Sequence, residues 1–303
     1  MITTLLAFVP ALGAPVAEDA RVEWEAPAAY VAGRPYRVEI ALAAGAAGAT
    51  VPAWLLGAAA FEKDGQPLGP RPAGELALPA GAELSLAFDL GPAIGETTAF
   101  TLGFAAPFAA QPVREIRTFQ PAPADVDFMT APLETLGQYS VLMETNRGAM
   151  LFEVWPDVAP NHVRNFLDLN HRGFYEGTIF HRVSPTFMIQ GGDGAQRIAD
   201  APRWTGGNAV RRVNAEFNAR KHVRGVLSAA RSADPNSATS QFFVMVTAFP
   251  SLDNQYSAFG ALIAGEDTLD RIAGAPGRPY SNDGTLRPDE PQQVLHTYVL
   301  QPH

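Results

Sequence analysis

Two rhythms of apolar and polar residues divide the chain. Between Arg21 and about Ala106 the apolar positions come in short alternating runs. Tyr36, Val38, Ile40 and Leu42 alternate with Arg37, Glu39 and Ala41, and Leu84, Leu86, Phe88 and Leu90 alternate with Ser85, Ala87 and Asp89. Alternation puts every second side chain on one face of a strand. Strands are therefore expected over Arg21 to Trp24, Tyr36 to Leu42, Ala58 to Phe61, Glu83 to Leu90 and Ala99 to Phe104. Lys63-Asp64-Gly65-Gln66 carries the Asp-Gly signal of a tight turn. Short strands separated by turns predict a β-sandwich of immunoglobulin-like type over residues 21–110.

From Leu136 onward the pattern changes. Tyr139 to Met143 and Ala149 to Val154 flank Asn146-Arg147-Gly148 and read as a hairpin with a glycine in its turn. Val163, Phe166 and Leu167 follow Pro160 at helical spacing, and Gly173 supplies a stop, so a helix is expected between them. A second helix is expected over Thr268 to Ala273, capped by Asp267. Further strands are predicted at Phe180 to Val183, Phe187 to Gln190, Gly225 to Ser228, Gln241 to Val246, Ala258 to Ile263 and Val294 to Leu300. A mostly β region with eight strands and two helices predicts a closed antiparallel barrel with capped ends over residues 136–303. Between the two regions, Gln111 to Asp125 holds three prolines and no long apolar run, so this stretch is expected to form a linker or an exchanged edge segment, with the linker taken as residues 111–135.

At the other end of the chain, Ile2 to Val16 is largely apolar and is followed by Ala17 and Glu18-Asp19. Residues 1–20 thus resemble the apolar core and cleavage zone of a secretory signal, without its basic start. A periplasmic or secreted location is the expectation, and a cytoplasmic one the alternative. No run of apolar residues is long enough to predict a membrane-spanning helix.

Composition removes several chemistries. The formal net charge is −9, which argues against nucleic acid as a partner. The chain has no cysteine, hence no thiolate nucleophile and no cysteine-held metal. Lysine occurs only at Lys63 and Lys221, both in ordinary polar surroundings, so Schiff-base catalysis is set aside. The six histidines show no metal-binding spacing, and no Gly-x-Ser-x-Gly elbow is present. No cofactor and no metal are expected.

The informative stretch is Phe180-His181-Arg182-Val183-Ser184-Pro185-Thr186-Phe187-Met188-Ile189-Gln190-Gly191-Gly192-Asp193. Gly225-Val226-Leu227-Ser228, Ser237-Ala238-Thr239-Ser240-Gln241-Phe242-Phe243, Leu252-Asp253 and Phe259-Gly260 follow it in order. Together these blocks closely resemble the cyclophilin-type peptidyl-prolyl isomerases, of a bacterial kind, over about Gln138 to Leu300. The resemblance implies the eight-stranded barrel and says nothing of the first region. It implies that Arg182, Phe187 and Gln190 form the catalytic set. By the same resemblance Met188, Gln241, Phe243, Leu252 and Tyr256 bind substrate, with a backbone contact at Ala230 and Arg231. The implied partners are proline-containing segments of unfolded or flexible polypeptides. By periodicity alone Phe187, Met188 and Phe243 are core residues, and Gln190 before Gly191-Gly192 also fits a turn cap. His181, though adjacent to the arginine, reads as a hydrogen-bonded structural histidine, because isomerisation passes no proton to solvent.

Three positions depart from the best-known eukaryotic pattern: Ser251 stands where tryptophan is usual, Tyr256 where histidine is, and Arg231 where asparagine is. The first argues against tight binding of the cyclic peptide cyclosporin. Ala195 to Trp204 forms a longer loop than the compact family pattern. The basic positions Arg211, Arg212, Arg220, Lys221 and Arg224 read as a solvated face. The leading functional expectation is an isomerase of X-Pro bonds. The alternatives are a proline-peptide-binding module without turnover, whose partner contacts come from the first region, and a structural surface protein, for which no repeat or anchoring motif is found.

Overall fold

The computed structural model describes residues 21–27, 29–95, 97, 99–105, 114–198 and 211–302. The signal-like segment 1–20 and most of the Ala195 to Trp204 loop lie outside them. The described chain is mostly β and divides into two compact units. The first takes residues up to 26 and 33–117; the second takes 27–32 and everything from 118 onward.

In the first unit, strand Arg37–Ala43 lies between Arg21–Glu25 and Glu83–Asp89, all antiparallel. The expected alternation is visible as burial: Val22, Trp24, Val38, Ile40 and Leu42 are buried while their neighbours face out. A second group pairs Ala99–Phe104 with Phe61–Lys63, and Arg114 to Arg117 pair back onto Ala99 to Leu102. Phe61 is fully buried at the centre, with ring centroids 5.4 Å from Trp24, 5.6 Å from Phe88 and 5.3 Å from Phe104. Asp64 and Gly65 adopt positive φ in the turn that joins Phe61–Lys63 to Gln66–Pro67, as the Asp-Gly signal predicts. The strand expected at Ala58 to Phe61 is instead a 3-10 turn, Ala58–Ala60, that leads into strand Phe61–Lys63. Three alanines supply no branched side chain to favour the extended form.

The second unit contains eight neighbouring antiparallel strands. Their order is Arg182–Val183, Met188–Gly191, Phe242–Met245, Val226–Ala229, Ala258–Ala264, Gly148–Val154, Ser140–Thr145 and Val294–Pro302. Just outside the first and last of these, Ile179 and Gln293 form an isolated antiparallel bridge. A hairpin that the sequence reading missed, Gly277–Pro279 with Leu286–Pro288, pairs onto Val183 through Leu286. Residues 111–135 are not a plain linker: they contain strand Arg114–Pro121 and helix Leu133–Leu136. Phe119 to Pro121 pair with Leu300 to Pro302, and Phe119 is buried with Leu142, Leu151 and Leu300. Burial of Ile116, Thr118 and Phe119 outweighs the chain-breaking effect of the prolines, which fall outside or at the end of the strand.

Helix Pro160–His171 starts and stops where the sequence places it. Gly173, at φ 69°, closes it, and the Phe174 N–H donates to the Leu169 carbonyl at 2.9 Å. Its start has no side-chain cap of its own. The Glu216 carboxylate, far along the chain, accepts from the Asn161 N–H and the His162 N–H at 3.0 Å each, and from the Asn161 side-chain amide at 2.8 Å. The second helix runs over Glu266–Ala273, and its cap position is Gly265, not Asp267. Gly265 has φ 102°, and a Cβ there would overlap the Ala149 carbonyl oxygen, so only glycine fits. Asp267 lies in the first turn, where its charge still suits the positive end of the helix.

Candidate active site

Register builds the site. Arg182 lies opposite Gln190, Gln190 opposite Phe243, and Phe243 opposite Ser228, a row across four strands. The next row, Val183, Ile189, Val244 and Leu227, belongs wholly to the buried core of the unit. Because neighbouring residues of a strand point to opposite faces, one face of this sheet packs the interior and the other carries the expected site residues.

On that second face Met188, Val226, Phe243, Met245 and Ala258 form a separate buried cluster, with Trp155, Phe187, Ala230, Leu252 and Tyr256 packed partly buried against it. The structure thus gathers every apolar position named from the sequence, and adds Trp155, Val226, Met245 and Ala258. Phe187 enters from the turn between Ser184 and Met188, its N–H donating to the Ser184 carbonyl at 3.3 Å, and its ring lies 4.5 Å from that of Phe249. Phe243 meets Tyr256 edge-on at 5.7 Å. Ser251 is exposed on the short 3-10 turn Pro250–Leu252.

Arg182 is held on all three of its nitrogens. Nε donates to Thr285 Oγ1 at 3.0 Å, Nη1 donates to Gln190 Oε1 at 2.9 Å, and Nη2 pairs with Asp283 Oδ2. Its Cζ lies 6.0 Å from the Phe187 ring centre and 5.9 Å from that of Tyr280. Gln190 in turn donates from Nε2 to Gln241 Oε1 at 2.9 Å, which fixes the orientation of its amide. Gln190 is therefore a link between Arg182 and Gln241, not a turn cap. Thr285, Asp283 and Tyr280 escaped the sequence reading because they sit about a hundred residues beyond Arg182 in a stretch with no motif.

Arg231 lies against the cluster at Tyr256, with Cζ 4.4 Å from that ring centre. Its Nη2 and Nε donate to the Gln255 carbonyl at 3.0 and 3.3 Å, so its side chain is part of the wall. Ala230 is tied back by its N–H to the Gln241 carbonyl at 3.0 Å.

Behind Phe243 lies a buried polar group that the sequence reading also missed. The His222 ring stacks at 6.1 Å on Phe243, and the residue is buried. Its Nδ1 faces Asp253 Oδ1 at 3.3 Å and its Nε2 faces Ser228 Oγ at 3.0 Å. A carboxylate only accepts, so Nδ1 carries the proton and donates, and Ser228 donates to Nε2. Burial pushes the His222 imidazole down, which keeps it neutral. The Asp253 carboxyl is held below its ordinary value, first by the His222 backbone N–H. Ser228 is wholly buried, so this Ser-His-Asp group supports the wall and offers no nucleophile.

His181 is likewise buried, and burial pushes its imidazole down. A hydrogen bond to the Ile179 backbone opposes that shift, while Nδ1 is buried without a partner among the described residues. Among the described residues no group of histidine, aspartate and glutamate is placed to hold a metal ion, and no helix is long and apolar enough to cross a membrane.

The span that holds these residues is similar in sequence to known proteins. The family model described as cyclophilin type peptidyl-prolyl cis-trans isomerase/CLD matches residues 140–299. A probable peptidyl-prolyl cis-trans isomerase of Brucella abortus is 38% identical over 156 residues, covering 50% of this chain and 79% of its own. A peptidyl-prolyl cis-trans isomerase of Acinetobacter baylyi is 35% identical over 169 residues, covering 54% and 87%. A solved cyclophilin of Cryptosporidium parvum is 31% identical, covers 53% of this chain and 98% of its own, and has a TM-score of 0.45. The matched span exceeds half of the chain and takes in Arg182, its three partners and the whole apolar cluster, so the chain belongs to the cyclophilin-type peptidyl-prolyl cis-trans isomerase family.

Proposed function

We propose that the second unit accelerates rotation about X-Pro bonds by a non-covalent route centred on Arg182. The observation that carries this reading is a guanidinium held at three points beside the apolar cluster of Phe187, Met188 and Phe243. An amide resists rotation by ~18–20 kcal/mol because the nitrogen lone pair is conjugated with the carbonyl. Twisting the bond frees that lone pair, and a donor aimed at the nitrogen then binds the twisted state more strongly than either planar one. To bring a step of tens of seconds to milliseconds, the site must remove about 5–6 kcal/mol. One charge-assisted hydrogen bond supplies about 1.5–3 kcal/mol. The remainder comes from holding the proline ring in the apolar cluster, from excluding water, and from anchoring the flanking peptide. Gln190 holds Arg182 and Gln241 together, and the Gln241 amide nitrogen then donates to a peptide carbonyl.

The family assignment supports proline-containing segments of unfolded or flexible chains as substrates. The Ile179–Gln293 bridge supports closure of the eight strands into a barrel. The rings that converge on Phe61 from both sheets support an immunoglobulin-like sandwich in the first unit. A protease-coupled assay on a short Ala-Pro peptide tests the function. The full chain is expected to accelerate cis-to-trans conversion at catalytic concentration. A well-folded chain that gives no acceleration would favour the binding-module reading instead.

The apolar run Ile2 to Val16 ahead of Glu18-Asp19 supports export. N-terminal sequencing of the native protein is expected to begin near Glu18, and a retained Met1 would sink this part of the proposal.

A further inference from the structure

We propose that Asp283 is a positioning residue for isomerisation, setting the direction of the Arg182 guanidinium from a hairpin outside the eight strands. The inference rests on the isomerase reading above and goes beyond it, because Asp283 lies in no motif that pointed to the site. A guanidinium is a rigid planar fork. Here two of its three anchors, Asp283 and Thr285, come from one turn. The carboxylate is itself fixed: Asp283 Oδ1 accepts from Thr285 Oγ1 at 2.6 Å, from the Thr285 N–H at 3.1 Å, and from the Ser281 hydroxyl.

The turn is set in place by backbone pairing, not by side chains alone. Leu286 pairs with Val183, the residue after Arg182, and with Pro279 across the hairpin. The Tyr280 N–H donates to the Thr285 carbonyl at 2.8 Å, closing the turn. The same ladder thus fixes the arginine and its brace. Burial raises the Asp283 pKa, but hydrogen bonds from Ser281 and Thr285 and the Arg182 charge outweigh it, so the carboxyl is held well below its usual range and stays ionised.

An unbraced arginine at the rim of an apolar cluster samples many rotamers, and only a fraction of them aim an N–H at the prolyl nitrogen. Loss of the brace acts on the chemical step and spares peptide binding. Asp283→Asn, nearly unchanged in shape, is expected to lower kcat about tenfold with KM within about twofold, short of the ~100-fold that a 1 Å misplacement can cost. Asp283→Ala is expected to lose as much or more. In nitrogen-detected NMR the two Arg182 Nη groups should give separate signals in the wild type and merge in the variants, because rotation about the Cζ–Nη and Nε–Cζ bonds is freed.

The test is a double-mutant cycle in the full chain. Positioning requires that Asp283→Asn cost nothing further once Arg182→Ala is present. An equal loss in both backgrounds would mean general damage to the fold and would overturn the inference. So would an unchanged kcat in Asp283→Asn when Arg182→Ala is impaired, which leaves the isomerase reading standing. A wild type without activity would overturn both.

Discussion

Arg182→Ala is expected to lower kcat/KM for an Ala-Pro peptide by about 100- to 1,000-fold, the usual cost of removing one donor aimed at a transition state. The loss should fall mainly on kcat, since the hydrogen bond to the prolyl nitrogen strengthens only as the amide twists. Peptide binding, which the proposed mechanism assigns to the apolar cluster around Phe243 and Met188, should change little. The fold should survive, because Arg182 lies at the rim with its side chain 22% exposed, and its core-facing neighbour Val183 is untouched. Arg182→Lys should recover only part of the activity. A lysine keeps the charge but lacks the planar fork that meets Gln190, Thr285 and Asp283 at once. Stopped-flow kinetics with and without each substitution, with far- and near-UV circular dichroism as the check on folding, decides the matter. A folded Arg182→Ala protein with undiminished kcat would remove the arginine from the mechanism.

The largest expected effect on stability is at Glu216. Its carboxylate caps helix Pro160–His171 through the N–H groups of Asn161 and His162 and accepts from the Asn161 side chain. It also accepts from His162 Nδ1 at 2.6 Å. Glu216→Ala leaves these donors without their acceptor at a helix start that has no other side-chain cap, and is expected to cost about 3 kcal/mol. Acid should reveal the same contact. Burial pushes the Glu216 carboxyl up, but the His162 side chain and the two backbone N–H groups outweigh it and hold it below its ordinary value. The unfolded chain therefore takes up this proton first as the pH falls. The contribution is full above the ordinary glutamate range and is lost as the pH drops through the lower folded value. Urea midpoints of the wild type should decline more steeply on acidification than those of Glu216→Gln. Parallel pH profiles for the two proteins would show that Glu216 carries no such linkage.

Much of this arrangement was legible in the chain itself, for reasons of local physics. Alternation at Val38, Ile40 and Leu42 marks a half-buried strand, since a strand places every second side chain on one face. Pro160 and Gly173 delimit a helix because one has no N–H to lose at a helix start and the other tolerates positive φ. The Phe180 to Asp193 block, with the ordered blocks from Gly225 to Gly260 behind it, carried the family, and with it Arg182, Phe187, Gln190, Phe243 and Tyr256. Periodicity could not say which face of the strand from Met188 to Gly191 was interior, since both Met188 and Ile189 are apolar and both are buried. Register decided it, by aligning Ile189 with Val183 and Val244 in the core and Gln190 with Arg182 and Phe243 in the site.

Other features needed the fold because they join residues with no local signature. Residues 111–135 read as a linker or an exchanged edge segment by their prolines, and Arg114–Pro121 became a strand once Phe119 found Leu142, Leu151 and Leu300 to pack against. Asp267 looked like a cap, but the approach of the Ala149 carbonyl gave that place to Gly265. Glu216 meets Asn161 and His162 across 54 to 55 positions of sequence, and Asp283 meets Arg182 across 101. The sequence by itself determined most of the strand and helix periods and stops and, through the family resemblance, the residues that gather around Arg182 and Phe243. Only the tertiary structure decided what holds those residues still, because a cap or a brace is set by distance in space, and spacing along the chain carries no record of it.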